Sequence, residues 1–185
     1  MNLWQEQLYI DIVVKRAIDS IANPVLDTLM IYITNIGAPL TFYIMASAGF
    51  LYLTYKHKII DGFFMVFCLF VSWGGMNLFK AFFMRERPIG EHLAYAEGYS
   101  FPSGHATLSM AFYGFIIYLL LAESKKSRKK KNLAGFLVVL IFLIGLSRIY
   151  LNVHYATDVL AGYILGIIFL VFFIFALRTC KARIH

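Results

Sequence analysis

Three short clusters of polar residues interrupt this sequence and carry side chains suited to phosphate chemistry. Together they hold three cations, two histidines and one carboxylate. The clusters are Lys80 with Arg87-Pro88, then Pro102-Ser103-Gly104-His105, then Ser147-Arg148 with His154 and Asp158. Three positive charges can take the place of a divalent metal ion around a phosphate, and this set lacks the paired carboxylates that usually bind Mg²⁺. The clusters predict an anion site with acid and base groups that uses no metal ion and no other cofactor.

The three cations of these clusters are expected to bind one phosphate. Lys80 and Arg87 are seven residues apart, so they share one face if the helix continues past Phe83 to Pro88. Arg148 comes from another helix, and its planar guanidinium suits phosphoryl oxygens. The alternative is that these cations are ordinary interfacial anchors that reach toward lipid headgroups.

The second cluster, Pro102-Ser103-Gly104-His105, opens an apolar run and is expected to start a helix. Ser103 could cap this helix while the backbone N–H groups of Ser103 and Gly104 point into the site. Gly104 would let the backbone approach a phosphate closely, and His105 would lie beside the leaving oxygen. Taken alone, the cluster is equally compatible with a simple cap and a buried histidine.

The third cluster contains a candidate nucleophile. His154 and Asp158 are spaced i, i+4, so on a helix the carboxylate can accept a hydrogen bond from the ring and fix its tautomer. A histidine oriented in this way can attack phosphorus. The alternative is that Asp158 only caps a helix or lies near its positive N-terminal end.

The composition indicates that the elements positioning these residues are membrane spans. Of 185 residues, 61% are hydrophobic and only 15% are charged, which is outside the range of soluble domains. Apolar runs that could cross a membrane as helices are Pro39 to Tyr55, Gly62 to Phe83, His105 to Ala122, Leu133 to Tyr150 and Val159 to Leu177. We therefore predict an all-α, polytopic transmembrane bundle with five or six spans. Cys68 and Cys180 lack disulfide or metal spacing and are expected to be free thiols.

The first 38 residues are predicted to form an interfacial helical segment, and residues 39–185 the transmembrane bundle. Charged residues interrupt the apolar positions of this segment, as in an amphipathic helix at the membrane surface. They are Asp11, Lys15, Arg16 and Asp19. Asn23-Pro24 should end this helix, and a second short helix over Val25 to Ile36 should follow. Met1 to Leu8 lacks the pattern of a cleaved signal peptide.

The basic residues predict the orientation of the bundle. The run from Lys125 to Lys131 is typical of a short cytoplasmic loop. Counting crossings from it places Lys56 and Lys58 on the same face and all three polar clusters on the opposite face. We therefore expect a multi-pass protein of the inner or plasma membrane whose site faces the extracytoplasmic side. Topology also explains the net charge of +7, so membrane lipids rather than nucleic acid are the predicted partners.

The order and spacing of the clusters resemble the signature of the type 2 phosphatidic acid phosphatase superfamily. The resemblance covers Lys80 to Asp158, with no departure at any signature position. It implies a metal-independent lipid phosphatase in which His154 is the nucleophile, Asp158 orients it, and His105 protonates the leaving group. The residues that it assigns to phosphate binding are Lys80, Arg87, Ser103, Gly104 and Arg148. Family members commonly have six spans, whereas the N-terminal region here is too charged to count as a sixth.

Several functions stay open within this resemblance. The substrate could be phosphatidylglycerophosphate, undecaprenyl diphosphate, phosphatidate or a lipid A phosphate. A phosphotransferase of the same fold would pass the phosphoryl group from His154 to another lipid instead of to water. A transporter would need polar groups at the bilayer centre, where segments such as Phe64 to Phe70 are apolar. A role in assembly would use the small-residue pair Gly162 and Gly166, although packing within the chain is the favoured use of that pair.

Overall fold

The computed structural model describes residues 8–123 and 127–184, and the regular secondary structure in this part of the chain is entirely helical. Its helices are α1 (Tyr9–Asp19), α2 (Pro24–Ile36), α3 (Pro39–Tyr55), α4 (Ile59–Phe83), α5 (Gly104–Glu123), α6 (Arg128–Tyr150) and α7 (Ala156–Ile184). Cys68 and Cys180 are both free, as predicted. Residues 1–7, considered above for a signal peptide, and Lys125 and Lys126 of the basic run lie outside the described residues.

The start of α2 follows from local sequence signals. Asn23 is the N-cap, and its side-chain oxygen accepts hydrogen bonds from the backbone N–H groups of Val25 and Leu26. Pro24 occupies the first helical position, where its missing N–H costs nothing. The break predicted at Asn23-Pro24 therefore separates α1 from α2, and the predicted second short helix is confirmed.

Four helices, α4 to α7, are each long and apolar enough to cross a membrane. Helices α2 and α3 are long and apolar enough to cross a membrane only when they are taken together, and the pair bends by 46° between Ile36 and Pro39. The described residues thus contain four spans, or five if the bent pair counts as one. This confirms an all-α transmembrane bundle and adds no sixth span. The predicted division at residue 38 falls within the bent pair and stays a prediction.

Helix α5 lies at the centre of the bundle and packs against α4, α6 and α7. Its Phe112 side chain is fully buried. Helix α7 approaches it closely, because a Cβ on Gly162 would lie 2.7 Å from the Ser103 carbonyl oxygen and one on Gly166 would lie 2.6 Å from that of Thr107. Close contact between small residues drives helix association in lipid, where the hydrophobic effect between helices is weak. The glycine pair therefore packs within the chain, as predicted.

The two ends of the bundle carry different connections. At one end, ion pairs join Lys58 to Glu123 and Lys181 to Asp61 near the α3–α4 and α5–α6 connections. At the other end lie the long segment 84–103 and the short link between α6 and α7. The predicted site residues all lie at this second end.

Helix α4 ends before it reaches Arg87, contrary to the sequence prediction. Met84 adopts a left-handed conformation with φ 46° and ψ 33°, and its N–H donates to the Lys80 carbonyl oxygen. Pro88 also disfavours a helical conformation at the residue before it, Arg87. The expectation that Lys80 and Arg87 share one helical face is therefore wrong. Lys80 comes from the last turn of α4, whereas Arg87 comes from the loop beyond it.

Candidate active site

A cavity of about 390 Å³ lies at the end of the bundle where the polar clusters meet. Six of the predicted site residues line it: Lys80, Arg87, Gly104, His105, Arg148 and His154. Ser103 and Asp158, which complete the predicted set, are fully buried next to it. The fold thus brings side chains from α4, α5, α6 and two connecting segments around one space.

Backbone carbonyl groups fix the Arg87 guanidinium at the edge of this cavity. Its Nε donates to the Gly98 oxygen at 3.0 Å, and its Nη2 donates to the Glu97 oxygen at 2.6 Å. Its Nη1 donates to the Val153 oxygen at 2.7 Å. Lys80 Nζ donates to a carbonyl group of the same loop. The loop therefore holds both cations in place before any ligand binds, which reduces the cost of ordering them around a phosphate.

Arg148 supplies the third cation from α6 and is only 3% exposed. Its Nη1 donates to Thr34 Oγ1 of α2 at 2.7 Å. Its Nε is buried and has no hydrogen-bond partner among the described residues, and the same is true of Ser103 Oγ. Buried donors without an acceptor are costly. A phosphoryl oxygen in the cavity could accept hydrogen bonds from both of these donors.

The predicted roles of Ser103 as a helix cap and as a backbone donor to the phosphate are wrong. The Ser103 N–H donates to the Asp158 carbonyl oxygen at 3.0 Å, so it is not available to a phosphate. The Ser103 hydroxyl forms no bond within the described residues and therefore does not cap the helix. Gly104 and His105 instead open the helix at the cavity wall, where the positive end of the helix dipole favours an anion.

The environment of His154 determines which ring nitrogen faces the cavity. Its Nε2 lies 3.4 Å from Nη1 of Arg87. A guanidinium can only donate, so Nε2 is the unprotonated nitrogen and Nδ1 carries the proton. Burial, together with the positive charges of Arg148 and Arg87, lowers the pKa of His154 to about 3. The ring is therefore neutral at physiological pH, and the lone pair of Nε2, which has only the long 3.4 Å contact with Arg87, can attack phosphorus.

Ser100, which no sequence signal pointed to, links Asp158 to this ring. Asp158 Oδ2 is 3.6 Å from His154 Nδ1, too far for a normal hydrogen bond. Ser100 Oγ lies between them, 3.2 Å from Nδ1 and 2.5 Å from Oδ2. The predicted direct bond is therefore wrong, because α7 begins only at Ala156 and His154 precedes the helix on which i, i+4 residues would meet.

A second feature missed by sequence reasoning is the set of ion pairs around Asp158. Arg85 Nη1 donates to Asp158 Oδ1 at 2.7 Å, and Arg85 Nη2 donates to Asp11 Oδ2 at 3.0 Å. Asp11 was expected on the polar face of an interfacial helix, yet it is 2% exposed. The sequence signal that could have found this set was the presence of Arg85 just before Arg87, at the site end of the bundle.

The sequence is also similar to known proteins. Residues 61–181 match the family model described as the PAP2 superfamily. The chain is 32% identical over 162 residues to phosphatidylglycerophosphatase B of Bacillus subtilis (strain 168), a similarity that covers 85% of this chain and 78% of that protein.

Solved structures show the same architecture. The first transmembrane PAP2 type phosphatidylglycerolphosphate phosphatase from Bacillus subtilis superposes with a TM-score of 0.82 at 29% identity, covering 95% of this chain and 86% of that one. LpxE of Aquifex aeolicus gives a TM-score of 0.74 at 22% identity, with 94% and 99% covered, and shares the fold. The matched residues and the shared bundle show that the chain belongs to the PAP2 superfamily of membrane phosphatases.

Proposed function

We propose that this lipid phosphatase transfers the phosphoryl group of a membrane lipid to Nε2 of His154 and then to water, without a metal ion. The observation that carries the proposal is the position of Nε2, which is unprotonated and close to the Arg87 guanidinium at a cavity lined by two further cations. A neutral nucleophile beside fixed positive charge is the arrangement that phosphoryl transfer needs.

In the first step, Nε2 of His154 attacks phosphorus, a nitrogen–phosphorus bond forms, and the bond to the lipid oxygen breaks. Lys80, Arg87 and Arg148 stabilise the charge on the three equatorial oxygens. His105 donates a proton to the departing lipid alkoxide, which leaves as an alcohol. The positive charge that develops on the His154 ring is shared through Nδ1–H with Ser100 and Asp158.

In the second step, water attacks the phosphohistidine from the position that the lipid oxygen has left. His105, now without its proton, accepts one from the attacking water. The nitrogen–phosphorus bond breaks, inorganic phosphate leaves, and both histidines return to their starting states. One histidine thus serves as acid and then as base on the same side of phosphorus.

The walls of the cavity support a lipid substrate. Besides the charged residues, it is lined by Asn35, Ala38 and Pro39 at the bend between α2 and α3. Pro39 and the next residue, Leu40, are exposed, so we infer that a phosphorylated headgroup reaches the cations past this bend while its acyl chains stay in the membrane. Similarity to a phosphatidylglycerophosphatase makes a phosphate monoester on a glycerolipid the first substrate to assay. A diphosphate would present the same terminal group.

We place this site on the extracytoplasmic side of the inner or plasma membrane, with residues 1–38 at the interface and 39–185 in the bundle. The basic residues at the opposite end of the bundle support this orientation, because short loops rich in Lys and Arg stay in the cytoplasm. Reporter fusions after Lys131 and after Met84 test it, with the first expected in the cytoplasm and the second outside. The reverse result would contradict the orientation and leave the chemistry untouched.

Purified protein is expected to release inorganic phosphate from a lipid phosphate in the presence of excess EDTA. Three cationic side chains do the work of a divalent ion in this mechanism, so the chelator should change the rate by less than about two-fold. Measuring free phosphate also separates hydrolysis from transfer, because a strict phosphotransferase releases none without an acceptor lipid. Loss of activity with EDTA that Mg²⁺ restores would contradict the metal-free mechanism.

A separate prediction concerns the serine that bridges His154 and Asp158. Ser100→Ala removes the hydroxyl that lies 3.2 Å from Nδ1, so the ring loses part of its orientation. We expect kcat to fall about 10- to 100-fold while KM changes little, since misplacement of a reacting group by a fraction of an ångström is costly.

Ser109→Ala is the matched control for this variant. Ser109 is also fully buried, but its hydroxyl donates to the Ala106 carbonyl oxygen inside α5. It should turn over at nearly the wild-type rate. Equal rates for Ser100→Ala and wild type would show that the carboxylate orients the ring without the serine.

A further inference from the structure

One buried cation lies between two buried carboxylates behind the proposed nucleophile. Arg85 contacts Asp158 at 2.7 Å and Asp11 at 3.0 Å, and the exposed fractions of these side chains are 5% for Arg85 and 0% for both acids. Asp11 belongs to α1, Arg85 to the loop after α4, and Asp158 to α7. The ion pairs therefore connect the N-terminal helix to the carboxylate that orients His154.

In contrast to its second half, which buries Ile18 and exposes Asp19, the first half of α1 is arranged in the opposite way from a surface helix of a soluble protein. Its apolar residues Tyr9, Ile10 and Val13 are 81%, 46% and 44% exposed, whereas the acidic residue between them is buried. Apolar side chains on the outer face suit contact with lipid. The carboxylate on the inner face is buried, and removing a charge from water costs free energy. Its ion pair therefore adds little stability compared with an apolar contact of similar size. Attachment of α1 alone would not require it.

We propose that Asp11 and Arg85 are positioning residues for the reaction, which makes α1 part of the catalytic apparatus. The inference rests on the proposed function of His154. Arg85 binds Asp158 Oδ1, which leaves Oδ2 directed at Ser100 and at the Tyr155 N–H. The hydrogen-bond chain from α1 to the nucleophile thus runs through Arg85, Asp158 and Ser100.

Asp11 acts on this chain in three ways. Its Oδ2 accepts from Nη2 of Arg85, which keeps the guanidinium oriented so that Nη1 can donate to Asp158. Its Oδ1 accepts from the Thr157 N–H at 2.9 Å, and its Oδ2 accepts from the Thr157 hydroxyl at 3.0 Å. These bonds fix the first turn of α7, where Asp158 is the next residue. The negative charge of Asp11 also offsets the positive charge of Arg85, so that the three groups together leave a net negative charge near the His154 ring.

The test compares substitutions in the purified full-length protein. Asp11→Asn keeps the shape and hydrogen-bonding oxygen of the side chain but removes the charge that faces Arg85. Arg85→Met keeps an unbranched stem and removes the cation. We expect the rate of phosphoryl transfer to fall about 10-fold for Asp11→Asn and about 100-fold for Arg85→Met, with KM within about two-fold of wild type, because the phosphate contacts are intact. Asp19→Asn, on the exposed part of α1 and paired with Lys15, is the control and should match wild type.

The double variant distinguishes positioning from simple attachment of α1. The asparagine oxygen can still accept from the Thr157 N–H, so Asp11→Asn tests mainly the route through Arg85. If Asp11 acts by that route, then Asp11→Asn should slow Arg85→Met by less than about two-fold. If α1 were only a structural support, the two losses would multiply, and they would follow the fraction of folded protein rather than the rate per folded molecule. Rates are therefore normalised to folded protein by size-exclusion chromatography. A wild-type rate for Asp11→Asn, or multiplied losses, would overturn the inference.

The same samples separate this inference from the proposed function. Wild-type protein is quenched during turnover of a labelled lipid phosphate, and His154→Asn serves as the blank. Absence of His154-dependent label in wild type would contradict the phosphohistidine, whatever the Asp11 result. Normal labelling in wild type, together with an unchanged labelling rate in Asp11→Asn, would contradict the positioning role alone.

Discussion

Replacing His154 with asparagine should lower kcat for a lipid phosphate by about 10⁴-fold or more, because it removes the nucleophile that forms the covalent intermediate. That loss corresponds to about 5.5 kcal/mol of transition-state stabilisation. Binding of a non-hydrolysable phosphonate lipid should weaken by less than about ten-fold, since Lys80, Arg87 and Arg148 remain. The two measurements are steady-state phosphate release and a binding titration in the same detergent.

His57→Asn provides the matched control for that variant. His57 lies at the opposite end of the bundle and has a left-handed backbone with φ 56°, which asparagine tolerates well. It should retain wild-type turnover. Comparable losses in both variants would point to a general effect of the substitution and would contradict the role given to His154.

Replacing His105 with asparagine should have an effect that depends on the leaving group. A lipid alkoxide needs a proton as it departs, so we expect turnover of a lipid phosphate to fall about 10³-fold. An aryl phosphate releases a phenolate that is stable without a proton, so its first turnover should slow by less than about ten-fold. Later turnovers should be slow, because the phosphohistidine then lacks the base that activates water. Rapid-quench measurement of phenolate release should therefore show a burst.

The size of that burst is the internal control. A burst equal to the amount of enzyme means that transfer to His154 is intact and that its hydrolysis is impaired. Loss of the burst to the same degree as lipid turnover would contradict the acid and base roles of His105. Such a result would instead give His105 a role in binding phosphate.

The fold and most of the cavity were predictable because they depend on local patterns. Long apolar runs predict spans, and a lysine, two arginines and two histidines at span ends predict an anion site. What failed was the geometry over a few residues at helix ends. Lys80 and Arg87 do not share a helix, because Met84 ends α4 in a left-handed conformation. Spacing in the sequence cannot reveal such an end.

The supporting residues could not be predicted for a different reason. Ser100 matters only because the loop before α5 passes between Asp158 and His154. Asp11 matters because α1 is oriented so that this carboxylate contacts Arg85 rather than water. Both contacts join segments that are distant in sequence, and neither residue type is unusual where it occurs. Contacts of this kind depend on the three-dimensional packing of the whole bundle.

The most direct test is to trap the covalent intermediate. Wild-type protein and the slow-hydrolysing His105→Asn variant are mixed with a ³²P-labelled aryl phosphate, quenched in base, and digested for peptide mapping. We predict a label that is stable in base and labile in acid, located at residue 154 and more abundant in the His105 variant. A label stable in acid, a label on any other residue, or no label during rapid turnover would contradict it.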